Sequence, residues 1–351
     1  MQHKYCFEAV HRTFQDICDD PYELCMFGGK PVVLGGDFAQ IPPVIRRGNR
    51  ADTVSASVKQ SFLWSRLQLL RLTQNMRLTN LLNQNDIAFA QFISIMSYNH
   101  RLYGSMTLPS YIHQTKQLNE FISKVYKGDE IINSMTIRNG QYFGERAILA
   151  TRNDTVGRIN EVILDKMHSE KVTLLSTDSA DINEADSLHS VPAEYLHSLN
   201  PTCLPPSKLE LKVGAPIMLL RNIDPARDLC NGARLIVVHT SQYLLRVRLA
   251  HKPDAPTETI PRFTLSSQEG DMPFMLTRKQ FLVKLCFAMT INKPQGQSLK
   301  YVGVDRRQPS FMHGKLYVAL SRATSLSGIS VLLPEGSNAT TNVVYPELLL
   351  S

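Results

Sequence analysis

The sequence predicts an α/β fold carrying a small antiparallel β module, and three observations predict it. Short apolar runs such as Arg146-Ala-Ile-Leu-Ala150 are followed by segments with apolar residues at helical spacing. Between residues 207 and 280 the pattern changes to short strands separated by Asn-Gly and Pro-Asp turn signals. The apolar runs also deliver polar, flexible or cationic residues to one end of a sheet, where open α/β sheets bind ligands.

Residues 5 to 17 place Phe7, Val10, Phe14 and Ile17 at helical spacing, and Pro31-Val-Val-Leu-Gly35 then reads as a short buried strand. Phe62 to Leu72 leads to another strand, and residues 85 to 97 return to a helical pattern through Ile87, Ala90, Phe92, Ile93 and Met96. Residues 98 to 140 read as helix and loop, broken at Leu108-Pro109. Arg146 to Ala150 is a buried strand; Thr151 to Asp154 offer N-cap types for a helix carrying Val156, Ile159 and Val162 to Leu164. After a polar, Pro-rich stretch from 176 to 206, strands are predicted at Leu209 to Leu220, Leu235 to Thr240, Tyr243 to Ala250 and Glu258 to Phe263. The α/β pattern resumes at Lys284 to Ile291, and a helix starts at Leu316, so the β module splits the second α/β domain.

A chain of 351 residues, 43% hydrophobic and 20% charged, buries a substantial core and accommodates two or three domains. Its net charge of +7 suits a polyanionic partner and equally a merely basic globular protein. The six cysteines form no C-x-x-C pair, and no H-E-x-x-H occurs, so a reducing compartment and no protein-held metal are expected. The N-terminus shows no secretory signal and no apolar run reaches the ~20 residues needed to cross a bilayer, which predicts a soluble intracellular chain.

The candidate chemistry lies at the strand ends. Gly35-Gly-Asp-Phe-Ala-Gln-Ile-Pro-Pro43 places Asp37 and Gln40 in a loop beyond a strand, and a Gln amide can touch a terminal phosphate oxygen and an attacking water together. A tight turn with a surface Gln reads from the same residues. Phe27-Gly-Gly-Lys-Pro31 lacks the upstream glycine and the Ser/Thr of a phosphate loop, and no G-x-x-x-x-G-K-[ST] occurs in the sequence. Arg77, in Leu72-Thr-Gln-Asn-Met-Arg77, offers a planar fork for phosphate, or a solvated surface charge. Thr290 to Ser298 gathers a hydroxyl, an amine, amides and a glycine, an inventory that can bind a phosphodiester backbone without reading bases; a polar strand-to-helix loop reads from the same residues. Arg322, after an apolar helix, is the candidate for stabilising charge on a transferring phosphate.

As an ordered set these segments resemble the Pif-type DNA helicases, in particular the Helitron-related branch. Gly35 to Val44 looks like the family's third motif, Leu72 to Arg77 the fourth, Phe287 to Leu299 the fifth and Leu316 to Thr324 the sixth. Val213 to Asp224 with Leu229 to Arg234 resembles the start of the family's β-barrel insertion, and Thr341 to Tyr345 the family's ending.

The resemblance implies RecA-like P-loop NTPase lobes, the first incomplete, with a small antiparallel β-barrel insertion in the second. It implies a first-lobe remnant over 1-78, a helical connection over 79-140, the second lobe over 141-175 and 281-335, the insertion over 207-280 and a tail over 336-351. It further implies ATP hydrolysis coupled to five-prime to three-prime unwinding of DNA in repair, recombination and telomere maintenance, with ATP and Mg²⁺ as cofactors, single-stranded DNA and forks as partners, and the nucleus, or else the mitochondrion, as location. By that resemblance Gln40, Arg77 and Arg322 are catalytic, and Asp37, Gln40, Arg77, Gln295, Gly296 and Arg322 contact nucleotide. Thr290, Asn292, Lys293, Gln297, Ser298, Asn222 and Asn231 would meet DNA. The family's phosphate loop and Asp-Glu pair have no counterpart here, so the chain is expected to begin after both, to expose apolar edge surface, and to be inactive alone.

Overall fold

The computed structural model describes residues 2–18, 25–72, 84–128, 140–181, 192–199, 201, 204–267 and 274–349. The chain forms two compact units, one of residues 1–114, 306–329 and 333–351, the other of residues 115–305 and 330–332.

In chain order, the first unit opens with helix α1 (Lys4–Ile17) and the short α2 (Arg50–Ser55), whose N-cap Asn49 and Asp52 exchange side-chain and backbone bonds in a capping box. Helix α3 (Gln84–Ile95) and strand β1 (Gly104–Thr107) follow, and β2 (His113–Thr115) ends the first pass. The second unit contains α4 (Leu118–Val125), α5 (Gly140–Gly144), β3 (Arg146–Ala150) and α6 (Asn153–Asp165). Next come β4 (Lys171–Leu175), β5 (Thr177–Asp181), α7 (Ala193–Ser198), β6 (Lys208–Lys212), β7 (Pro216–Leu219), β8 (Arg234–Thr240), β9 (Leu244–Leu249) and β10 (Glu258–Pro261). Strands β11 (Phe263–Ser266), β12 (Met275–Gln280), β13 (Val283–Leu285), β14 (Ala288–Thr290), β15 (Tyr301–Asp305) and β16 (Ile329–Leu332) follow. Helix α8 (Lys315–Leu320) stands between β15 and β16, and β17 (Ala339–Asn342) and α9 (Pro346–Leu349) close the chain.

One sheet runs β14-β3-β15-β16-β2, with β3 parallel to both β14 and β15. All five residues of β3 are buried, as a central parallel strand requires, and Ile148 and Ala150 join Phe121, Phe143, Ile159 and Phe287 in the core beneath it. Because β3 precedes the β module in sequence and its neighbours follow it, the module interrupts this α/β core, as the periodicity predicts.

The module holds a five-stranded antiparallel sheet, β10-β9-β8-β7-β13, with ribbons β4-β6 and β11-β12-β5. Leu174, Leu211, Ile217, Leu235, Val247, Ile260 and Phe281 share one core. The ribbon β11-β12-β5 is closed by Arg278, which donates to both oxygens of Asp178 (Nη2 to Oδ2 2.6 Å) and to the carbonyls of Leu196, Leu199 and Pro205. Both side chains are fully buried.

Several local expectations fail. Pro31 to Gly35 and residues 69 to 72 form no strand and pair with none among the described residues; Val33 is 95% and Leu72 100% exposed. An apolar run becomes a buried strand only when neighbours cover both faces, and none does here. Helix α1 forms where predicted, yet Val10 and Ile17 are exposed while Glu8 and His11 are buried, because Glu8 accepts from Ser61 Oγ at 2.7 Å and His11 Nδ1 accepts from the Phe27 amide at 2.9 Å. Helix α6 starts without a side-chain cap, its N-cap position being Arg152. Strands β1 and β2 lie in the stretch read as helix and loop.

Candidate functional site

In the first unit the loop from Gly35 to Val44 is fastened to helix α8. Asp37 organises it: Oδ1 accepts from the Ala39 amide at 3.0 Å, and Oδ2 accepts from Gln40 Nε2 at 3.2 Å and from the Tyr317 hydroxyl at 2.9 Å. Burial raises the Tyr317 pKa, and the Asp37 carboxylate raises it further, so the hydroxyl stays a proton donor across the physiological range. Ala39 and Ile41 to Pro43 are buried, and the edge of the Phe38 ring meets Trp64 at 5.5 Å between centroids.

A second fastening passes through His313. The Tyr345 amide donates to Nδ1 at 2.8 Å, so Nδ1 is the acceptor and Nε2 carries the proton that bonds the Phe38 carbonyl at 2.8 Å. Gly314 sits beside it in a left-handed conformation, φ +73°, where a Cβ would stand 2.4 Å from the Ala39 carbonyl oxygen. Arg322 is 2% exposed; Nε donates to the Val318 carbonyl at 3.0 Å and Nη2 to Ser321 Oγ at 2.9 Å. Its charge is felt at the Tyr317 hydroxyl. The structure therefore brings Asp37, Gln40 and Arg322 into one unit, with Tyr317 and His313 as fastenings that the sequence reading missed. Arg77 lies outside the described residues.

Burial lowers the His313 pKa, and the neutral ring is the form that keeps both bonds. The unfolded chain therefore binds a proton that the fold refuses, and this contribution to stability is present above the unfolded value of about 6.5 and lost as pH falls toward the folded pKa. Melting temperatures at pH 7.5 and 5.5 should show a drop in the wild type that is smaller in His313→Gln; equal drops would remove His313 from the account.

In the second unit, Thr290 ends β14 and the chain turns through residues 291–298, with the Lys293 amide donating to the Thr290 carbonyl at 2.9 Å and the Gln297 amide to Pro294 at 2.9 Å. Gly296 takes φ +88°, a conformation that favours glycine. Lys293 Nζ donates to Asn231 Oδ1 at 3.4 Å, and the Asn231 amide donates to Asn222 Oδ1 at 2.8 Å. The Thr290 loop and the β7–β8 turn thus meet, joining three of the predicted residues. Asn292, Gly296 and Ser298 are exposed, while Gln295 and Gln297 are half-buried. Lys284 stands near Lys293: burial lowers its pKa first, and the Lys293 charge adds to that. Arg234 ties the turn down, donating to the carbonyls of Gly144 (3.1 Å) and Arg146 (2.7 Å).

A triphosphate needs cationic and N–H donors. Arg322 and the Gln40 amide are donors of that kind, Arg322 buried and donating to Val318 and Ser321, but the 351 residues hold no phosphate-loop sequence. Among the described residues no group of three His, Cys, Asp or Glu is placed to hold a metal ion, and no helix is long and apolar enough to cross a membrane.

A parallel α/β core interrupted by an antiparallel insertion defines the class of fold, α/β and RecA-like. Residues 1–100 match the model of the PIF1-like helicases, and residues 194–239 that of the 2B domain of DNA helicase Pif1. Over these two segments the chain resembles the PIF1-like helicases. It is 30% identical to human ATP-dependent DNA helicase PIF1 over 315 residues, covering 87% of this chain and 41% of the relative. To the Pif1 of Bdellovibrio bacteriovorus it is 26% identical, covering 92% of this chain and 62% of the relative. The crystal structure of Candida albicans Pif1 is similar in fold, with TM-score 0.66 and 21% identity over 99% of this chain and 72% of that one. So is Bacteroides Pif1 bound to single-stranded DNA, with TM-score 0.62 and 21% identity over 94% of this chain and 68% of that one. The chain spans about two fifths of the length of the human relative.

Proposed function

We propose that this chain is the body of an ATP-dependent DNA helicase, whose nucleotide-responsive part is the Gly35–Val44 loop with Arg322. Its grip on single-stranded DNA is the Thr290–Ser298 loop with Asn222 and Asn231. The observation that carries the reading is the double fastening of the loop, to α8 through Asp37–Tyr317 and to the turn just before α8 through Phe38–His313. A change in the position of Gln40 is thereby passed to the helix that leads into Arg322.

ATP, when bound, supplies the γ-phosphate whose loss drives the conformational cycle. Within this chain, Gln40 offers an amide to a terminal phosphate oxygen, Asp37 and Tyr317 orient that amide, and Arg322 holds positive charge close by on a buried, prearranged side chain. Gln295, Gly296 and Arg77 complete the nucleotide contacts in this reading. Lys293 supplies a phosphodiester contact, and Thr290, Asn292, Gln297, Ser298, Asn222 and Asn231 supply neutral hydrogen bonds to the backbone. The same reading carries five-prime to three-prime movement on single strands and forks, Mg²⁺ as the partner of ATP, and work in repair, recombination and telomere maintenance in the nucleus.

The absence of a phosphate-loop sequence from these 351 residues favours a second reading for this chain by itself: a nucleic-acid-binding body without turnover. Hydrolysis of ATP with Mg²⁺ and a single-stranded oligonucleotide, with Arg322→Ala as control, separates the two. We expect no turnover, and oligonucleotide binding that weakens with salt. Lys293→Ala should weaken binding and reduce the slope of log affinity against log salt by about 0.7. DNA-stimulated turnover lost in Arg322→Ala would establish a working motor, and binding indifferent to salt and to Lys293 would sink the DNA grip.

A further inference from the structure

The outward face of the five-stranded sheet carries charge that the Thr290 loop does not use. Along β9 burial alternates: Leu245, Val247 and Leu249 point into the core, and Leu244, Arg246 and Arg248 point away from it. In register beside Arg246 stand His239 on β8 and Thr259 on β10, and beside Leu244 stands Pro261. None of these outward positions carries a carboxylate. Glu258 sits opposite the inward Val247 and is committed to Arg227 at 3.3 Å. Arg246 is exposed and makes no hydrogen bond or ion pair among the described residues; the Nε of Arg248 is buried and unpaired. Successive outward positions on a strand lie about 6.7 Å apart, so these cations form a row.

An aromatic ring stands at the end of that row. Tyr243 is 69% exposed at the β8–β9 hairpin tip, although a polar residue there would spare the exposed apolar area. The tip is held firmly. The Ser241 amide donates to the Leu244 carbonyl at 3.0 Å, and the Leu244 amide returns a bond to Ser241 Oγ at 3.1 Å. Arg262 clamps it from the side: Nε donates to the Gln242 carbonyl at 2.7 Å, Nη1 to the Leu175 carbonyl at 2.5 Å, and the guanidinium lies 4.9 Å from the Phe281 ring centre. Nη2 of Arg262 has no hydrogen bond among the described residues, and its charge is close enough to be felt by Tyr243.

We propose that this face is a second contact for single-stranded nucleic acid, with Arg246, Arg248 and Arg262 meeting phosphates and Tyr243 stacking on a base. A row of unneutralised cations suits any polyanion; a rigid, exposed ring at its end adds a demand for a flat, unpaired base, which a duplex, an acidic peptide or a lipid headgroup does not offer. The seven residues of β8 separate the tip from the Asn231 turn by about 23 Å, so this is a separate footing for the strand. The inference rests on the nucleic-acid reading of the Thr290 loop only in supposing that the same strand reaches both.

The test is anisotropy of a labelled oligothymidine long enough to span both ends of β8, titrated with the full chain across a salt series. Tyr243→Ala should weaken binding by about 5- to 100-fold with the salt slope unchanged, and Tyr243→Phe should restore it. Arg246→Gln with Arg248→Gln should weaken binding and reduce the slope by about 1.4. All these side chains except Arg248 are exposed, so melting curves close to wild type are expected, and Arg246→Gln alone, with a slope change of about 0.7, serves if the double variant unfolds. Wild-type affinity in Tyr243→Ala and Arg246→Gln, with Lys293→Ala still impaired, would overturn this proposal and leave the loop reading standing. The reverse pattern would remove the loop and keep the platform. A chain that binds no oligothymidine removes both, and equal displacement by polyglutamate with no Tyr243 effect would make the face a general anion surface and overturn its assignment to nucleic acid.

Discussion

Asp178→Ala is expected to destabilise the β module by about 3–5 kcal/mol, the usual cost of removing one partner from a fully buried ion pair. Both side chains are shut off from water, so the Arg278 guanidinium would keep its charge without a counter-charge. Arg278 is also more than half of a pair, since it donates to the carbonyls of Leu196 and Leu199 at the end of α7 and to Pro205. That makes the double replacement informative. Asp178→Leu with Arg278→Met removes both charges, which in a simple buried pair recovers most of the loss. Here three carbonyls would be left without their donor, at about 1–3 kcal/mol for each that finds no water, so recovery should be partial. Denaturant unfolding of the single and double variants measures both quantities through the shift in midpoint at constant slope. A loss below about 1 kcal/mol in Asp178→Ala would mean that water reaches the site and that the pair is not the clasp described.

What the sequence disclosed, and what it hid, follows from the range of the interaction involved. Strand β3 and helix α6 were legible because an unbroken apolar run and a 3.6-residue period are local signals. The turn at Asn231-Gly232 was legible for the same reason: Gly232 has φ +89°, which the Asn-Gly pair announces. Pro31 to Gly35 misled because the run specifies an apolar segment and not its neighbours. The apolar stripe on α1 misled likewise, since the buried side follows the bonds of Glu8 to Ser61 and of His11 to Phe27. At the candidate site the loop and Arg322 were read from their residue types, but His313 and Tyr317 acquire meaning only from partners 275 and 280 positions away. Arg278 was hidden similarly, as an arginine between Thr277 and Lys279 in β12 looks like an ordinary surface cation. The contact of Lys293 with Asn231 joins two segments that the reading had selected separately, and only the fold shows that they meet.

Gly314→Ala is expected to cost about 2–5 kcal/mol and to loosen the Gly35–Val44 loop from α8. Two penalties add. A residue with a Cβ at φ +73° bears about 1–2 kcal/mol of left-handed strain, and the new carbon would stand 2.4 Å from the Ala39 carbonyl oxygen and 2.8 Å from the Gln40 carbonyl carbon. Those are backbone atoms, so relief requires moving the loop itself, at a cost typical of overpacking, about 1–3 kcal/mol. Movement there stretches the bonds from Tyr317 to Asp37 and from His313 to Phe38, which hold Gln40 in place. The chain's single tryptophan reports on this region, because Trp64 packs edge-on against Phe38. Gly314→Ala should therefore shift the native-state emission of Trp64 as well as the unfolding midpoint. Gly157→Ala is the matched control: it lies within α6 with no atom closer than 4 Å to the added carbon, so helix propensity should stabilise it by up to about 1 kcal/mol and leave Trp64 unchanged. Equal midpoints for Gly314→Ala and wild type would show that the loop yields without cost. In that case the fastening to α8 could not transmit the position of Gln40 toward Arg322.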